Sequence, residues 1–167
     1  MFEIVRSPLV GSRLDLAGLC NQKNIRTVAE IGTDRVVFVV EFLERWIGEL
    51  LYCVDDYRSY MDLPWNRQGD MLLAVTALAR FQRRVRLIKA TSIEFAQFIQ
   101  SNPKLPGLPL GFVYIDADHS YEATKHDANF IAPHMGPNGI MAFHDSTTFP
   151  GVACGTIAPH HVRMSTS

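Results

Sequence analysis

Acid, imidazole and hydroxyl side chains recur in this sequence wherever an apolar run ends. Phe112-Val113-Tyr114-Ile115 stops at Asp116, with Asp118, His119, Ser120 and Tyr121 close behind, and Ile140 to Phe143 stops at His144-Asp145-Ser146. Thr27 to Ile31 runs into Gly32-Thr33-Asp34 with Glu30 inside it, Leu50 to Val54 ends at Asp55-Asp56, and Val85, Leu87 and Ile88 lead to Lys89-Ala90-Thr91-Ser92. A carboxylate at position 55 can take both hydroxyls of a ribose. Thr91 and Ser92 offer small hydroxyls to border an adenine ring. Gly32 permits close backbone approach of a ligand, and the helix start beyond it offers free N–H groups. The set is nucleoside-shaped. A dinucleotide fingerprint, G-x-G-x-x-G, would need glycines where Asp34 and Val37 stand. Glu30, two residues before Gly32, favours instead a ligand with a positively charged amino-acid end and no phosphates.

These residues need a scaffold that brings separate strand ends to one edge, and the hydrophobic pattern supplies it. The apolar runs read as strands, the last of them launched by a Gly-Pro-Asn-Gly turn. Val36, Val40, Leu43 and Ile47 recur at helical spacing, with Gly48 as the stop; Trp46 fits their apolar side. Met71, Leu72, Val75, Leu78 and Ala79 mark a second helix. Ile93, Phe95, Ala96 and Ile99 mark a third, for which Ser92 is a natural N-cap. A fourth runs from Tyr121 to about Pro133, with Asp118 and Ser120 both suited to cap it. Leu14, Leu16, Leu19 and Ile25 suggest a short amphipathic helix ahead of the first strand. Strand and helix alternate five strands deep, which predicts an α/β fold with a mostly parallel sheet, where ligands bind beyond the carboxyl ends of the strands. Residues 1–167 read as one domain with a recognisable core over 26–146 and an irregular tail over 147–167, where no strand is expected.

Composition narrows the function classes. Hydrophobic content of 47% with 20% charged residues describes an ordinary globular chain, and a net charge of -1 without a basic run argues against a nucleic-acid partner. Three scattered cysteines, Cys20, Cys53 and Cys154, suit neither a disulfide framework nor a zinc site. No apolar run is long enough to cross a membrane and no leader is evident, so a cytoplasmic protein is expected.

The motifs VAEIGTDR (28–35), LYCVDDY (51–57), IKATS (88–92), VYIDADHSYE (113–122) and GPNGIMAFHDS (136–146) together resemble the class I S-adenosylmethionine-dependent methyltransferases. The resemblance implies a Rossmann-like three-layer αβα fold. It also implies that Glu30, Gly32 and Thr33 form the methionine side of the cofactor pocket, that Asp55 binds the ribose, that Thr91 and Ser92 flank adenine, and that Asp116 lies near the methyl donor. Within the class, the DADHSYE motif is similar to that of metal-dependent O-methyltransferases. That likeness implies a divalent cation such as Mg2+ held by Asp116, Asp145 and Ser146, with His144 or Asp118 as further donors. It also places His119 where the family has its catalytic lysine, as the base that takes a hydroxyl proton beside Asp116.

Three departures accompany the likeness. Val36 stands where the E-x-G-x-x-x-G turn has its last glycine, Ser146 replaces an asparagine, and few residues follow Asp145 where the family adds its last one or two strands. The expectation is O-methylation of a small-molecule hydroxyl, with a second copy of the chain covering the open sheet edge. The alternative is a truncated or degenerate S-adenosylmethionine-binding domain without catalytic activity.

Overall fold

The computed structural model describes residues 12–58, 67–118, 120–144 and 161–163. Six strands form one sheet in the order β3-β2-β1-β4-β5-β6, where β1 is Thr27–Ile31, β2 Leu50–Asp55, β3 Val85–Lys89, β4 Leu110–Ile115, β5 Met135–Phe143 and β6 His161–Arg163. Every pairing is parallel. The order reverses between β1 and β4, which places the topological switch point where Gly32 and Asp116 leave the sheet. The α/β expectation and its first five strands are therefore met. β6 corrects the expected irregular tail: residues 161–163 pair with residues 141–143 of β5. Three residues are too few to show a period-2 pattern, so no sequence signal marked them.

Helices cover both faces. The helices α1 (Leu16–Gln22) and α2 (Val37–Arg45) and the buried side of α3 (Arg67–Leu78) pack on Val28, Leu51, Cys53, Phe112 and Tyr114. The helices α4 (Ser92–Ser101) and α5 (Tyr121–Ile131) pack on Ala29, Ile31, Tyr52, Val54, Val113 and Phe143. Alternation along each strand divides its residues between the two cores, and the unbroken burial of β1 and β2 is what a sheet covered on both sides requires. Among the described residues no helix is long and apolar enough to cross a membrane.

Several local expectations need correction. α2 ends at Arg45, not at Gly48. The indole of Trp46 lies over Gly48, where a β-carbon would come within 2.0 Å of the ring. Gly48 therefore makes room for a core residue, and the indole N–H donates to the Ile25 carbonyl at 3.0 Å. The Gly-Pro-Asn-Gly segment lies inside β5: Met135 pairs with Leu110 and Ile140 with Phe112, and the intervening residues bulge out between them. α3 turns a different face to the sheet from the one its pattern suggests. Asp70, Ala74 and Leu78 are buried, while Leu72 (68% exposed), Leu73 and Val75 face outward. Thr91, not Ser92, is the N-cap of α4, in a reciprocal capping box with Glu94.

Candidate functional site

The parallel ladder carries on past the strands and fixes where each polar group emerges. Gly32 N–H donates to the Val54 carbonyl at 2.8 Å, Ala90 N–H to Asp55 at 3.0 Å, Asp116 N–H to Ile31 at 2.8 Å and His144 N–H to Ile115 at 3.0 Å. Gly32, Asp55, Ala90, Asp116 and His144 thus stand along one edge. Gly32 has φ 88°, and a β-carbon there would lie 2.4 Å from the Asp116 carbonyl oxygen. Only glycine lets the first turn nestle against the exit of β4.

Glu30 is the most unusual group on this edge. It stands in register with Cys53 on one side and Tyr114 on the other, and is 2% exposed. Among the described residues its Oε2 has no hydrogen-bond partner, and neither has the buried Thr33 hydroxyl. Burial drives its carboxyl pKa well above the ordinary range; the nearby charges of Asp116, Asp55 and Asp34 push the same way, and Arg13 opposes them. A buried carboxyl surrounded by other acids, with an unused oxygen, is a socket for a cation or an N–H donor. The same group contributes to holding the Cys53 thiol well above its usual pKa, after burial.

Asp55 is buried and rigidly aimed. Its Oδ2 accepts from the Asp34 N–H at 2.9 Å and its Oδ1 from the Tyr57 N–H at 2.8 Å. These two bonds fix the direction of the carboxylate at the edge. Tyr57 completes the clamp: its ring is buried and its hydroxyl donates to the Asp34 carbonyl at 2.9 Å. Its ring packs in the core while its hydroxyl ties the first and second strand-end loops together. Between them, Val36 adopts φ 59° and ψ 26°, left-handed space that a β-branched residue rarely enters. Its isopropyl group belongs to the core cluster, so the departure from glycine loads the backbone of this turn.

Thr91 and Ser92 stand at the end of β3, and both hydroxyls have work within the fold. Thr91 Oγ1 accepts from the Glu94 N–H at 3.2 Å. The Ser92 hydroxyl donates to Asp127, a carboxylate on α5 whose pKa is raised by burial, with the Ser92 bond opposing the shift. Asp127 escaped sequence analysis because it occupies a core position of the stripe Thr124, Asp127, Ala128 and Ile131, where apolar residues are expected. At the β4 exit, Asp118 Oδ1 accepts from the Ser120 N–H at 2.7 Å, and Ser120 caps α5 by accepting from the Ala123 N–H at 3.3 Å. Asp116 Oδ1 lies 2.8 Å from His144 Nδ1, an ion pair when the imidazole is protonated.

His119, Asp145 and Ser146 fall outside the described residues, so the candidate base and two of the three candidate metal ligands have no geometry to report. By chemistry, two carboxylates and a hydroxyl are oxygen donors that suit a hard divalent cation. Among the described residues no group of three histidine, cysteine or acidic side chains is arranged to hold a metal. A surface depression of about 410 Å³ lies at Leu14, Gly18, Asn21, Gln22 and Arg45. It shares no residue with the strand-end set.

Comparison with known proteins agrees with this fold. A family model described as a methyltransferase domain matches residues 29–146. Among solved structures, the chain is similar to an O-methyltransferase from Bacillus cereus in complex with S-adenosylhomocysteine, at TM-score 0.62 and 15% identity over 89% of this chain and 68% of the other. It is similar to a protein assigned as a caffeoyl-CoA O-methyltransferase from Staphylococcus aureus, at TM-score 0.60 and 17% identity over 83% and 60%. It is also similar to TomG of Streptomyces achromogenes, an O-methyltransferase of tomaymycin synthesis in complex with S-adenosylmethionine, at TM-score 0.57 and 15% identity over 87% and 67%. The chain thus spans about 60% of the length of the Staphylococcus aureus protein. A search of curated protein sequences finds no match.

Proposed function

The chain belongs to the methyltransferase-domain family and has the class I S-adenosylmethionine-dependent fold, and from that premise we propose that it methylates a hydroxyl group of a small molecule. The observation that carries the reading is Glu30: a buried carboxyl whose Oε2 is unused among the described residues, two residues before Gly32 and among Asp55 and Asp116. Such a group suits an α-ammonium, which would satisfy its free oxygen and relieve its acidic surroundings.

In this reading Glu30 takes the ammonium of the cofactor, Thr33 offers its hydroxyl on the same side, and Gly32 keeps the approach open. Asp55, aimed by the Asp34 and Tyr57 N–H groups, accepts the ribose hydroxyls. Thr91 and Ser92 border adenine through the backbone at the start of α4, their hydroxyls being engaged elsewhere. When bound, the cofactor would supply an electrophilic sulfonium methyl group. His119 takes the proton of the acceptor hydroxyl, and Asp116 with His144 forms the polar wall beside it. Asp116, Asp145 and Ser146 would hold a divalent cation, whose chemistry would be to acidify the acceptor hydroxyl.

Calorimetric titration with S-adenosylhomocysteine tests the cofactor half: micromolar binding by the wild type and its loss in Asp55→Ala are expected. Absence of binding by the wild-type chain would overturn it. The acceptor half is tested on catechols, phenols and sugars, with and without Mg2+. Activity that survives both Asp116→Ala and Asp145→Ala would rule out the cation's role.

A further inference from the structure

Resting on the cofactor reading above, we propose that Arg13 binds the carboxylate of the cofactor's amino-acid end, so that Glu30 and Arg13 form a two-sided clamp for a zwitterion.

Placement comes first. Asn21, near the end of α1, donates through Nδ2 to the Arg45 carbonyl at 2.9 Å and accepts the Ile47 N–H at 3.0 Å, so the end of α1 lies at the end of α2. The two helices pack together, and the short 3-10 turn Arg13–Asp15 ahead of α1 also packs on α2. Arg13 thus belongs to an element that lies against the helix emerging from the Gly32 turn. It sits on the same face of the sheet as Glu30, whose strand neighbours Cys53 and Tyr114 belong to the core that α1 and α2 cover.

Availability comes second. Arg13 is half-buried, yet it forms no ion pair and no side-chain hydrogen bond among the described residues. Its carbonyl accepts from the Leu16 N–H, and the turn around it is closed by the Ser12 N–H donating to Asp15 Oδ2 at 2.8 Å. Among the described residues, its positive charge is the one that opposes the rise of the Glu30 pKa, and it forms no ion pair with Glu30. An arginine present only to neutralise Glu30 would occupy the free Oε2, which instead has no partner. A carboxyl and a guanidinium that do not bridge each other, each with unused hydrogen-bonding capacity among the described residues, match a ligand whose ammonium and carboxylate branch from one carbon. The planar guanidinium presents paired N–H donors to a carboxylate, which a lysine ammonium does not.

The test uses the full chain and three ligands: S-adenosylhomocysteine, its decarboxylated analogue, and 5′-methylthioadenosine, which lacks the amino-acid end. Arg13→Gln is expected to weaken S-adenosylhomocysteine about 10- to 100-fold while leaving 5′-methylthioadenosine unchanged. The wild type should lose a similar factor on decarboxylation, and Arg13→Gln should lose nothing further. Arg13→Lys should recover only part of the loss. Equal binding of S-adenosylhomocysteine by wild type and Arg13→Gln overturns the clamp while the cofactor reading stands. Equal weakening of S-adenosylhomocysteine and 5′-methylthioadenosine also overturns it, because Arg13 would then act on the fold. A wild type that binds none of the three ligands overturns the cofactor reading and the clamp with it.

Discussion

Val36 offers a measurement in which backbone and side chain pull in opposite directions. It holds φ 59° and ψ 26° at the entry to α2, and its side chain is only 1% exposed. Val36→Ala removes two methyl groups from the core at a cost of about 1.5–3 kcal/mol, and it leaves an L-residue in left-handed space. Val36→Gly removes the buried β-carbon as well, about 0.8 kcal/mol, but lifts the left-handed penalty, about 1–2 kcal/mol. Against that stands glycine's greater loss of freedom on folding, about 0.5–1 kcal/mol. The opposing contributions nearly cancel, so the two variants should match to within about 0.8 kcal/mol, while both fall below the wild type. In right-handed or extended backbone the glycine variant would be the less stable of the two by about 1.3–1.8 kcal/mol. Urea denaturation followed by circular dichroism, with equal m-values, gives the comparison directly. A glycine variant less stable than the alanine variant by about 1.3 kcal/mol or more would refute the strain at Val36. It would also remove the physical reason for the family's glycine at this position.

Other expectations concern single groups. Glu30→Gln should raise the melting temperature of the ligand-free protein at pH 8 more than at pH 5, and not at all below about pH 4. The sign follows from the raised pKa: the wild type's favourable protonated Glu30 is fully present below the unfolded value and is lost as pH rises toward the folded one, whereas glutamine does not titrate. A difference independent of pH would count against the buried carboxyl. The same variant should bind S-adenosylhomocysteine more weakly, so one substitution moves stability and affinity in opposite directions. Ser92→Ala deprives the buried Asp127 of its hydroxyl donor and should cost about 1–3 kcal/mol in chemical denaturation; an unchanged midpoint would mean that the contact contributes nothing net. Thr91→Ala breaks the α4 capping box and should cost about 1 kcal/mol, with Thr91→Ser recovering most of it.

The strand ends were legible because a sheet covered on both faces demands unbroken apolar runs, and each run stops where its first polar residue meets the edge. Glu30 was legible only through its place beside Gly32; nothing in the sequence indicated that its oxygen would be buried without a partner. α3 was misread because Leu72 and Val75 satisfy a helical stripe, yet the sheet takes Ala74 and Leu78, together with the polar Asp70. Periodicity counts apolar residues and cannot tell which of two apolar faces a helix will bury. Gly48 read as a helix stop because glycine serves both that purpose and close packing, and here Trp46 decided the matter. The three positive-φ residues Asp34, Val36 and Tyr57, which shape the loops around Asp55, carry no glycine to announce them.

The strand order has a consequence for how the site comes into being. β1, β2 and β3 pair in sequence, whereas β1 meets β4 by joining residues 28–31 to residues 112–115. Glu30 and Asp55 belong to the first half of the chain and Asp116 and His144 to the second, so the edge exists only where the halves dock. Docking also brings the repelling acids together, which makes this seam an electrostatically costly line in the molecule. A ligand with a cationic end that bridges the two halves acts there as a staple, and amide hydrogen exchange along the β1–β4 ladder should slow on its binding more than exchange along β2–β3.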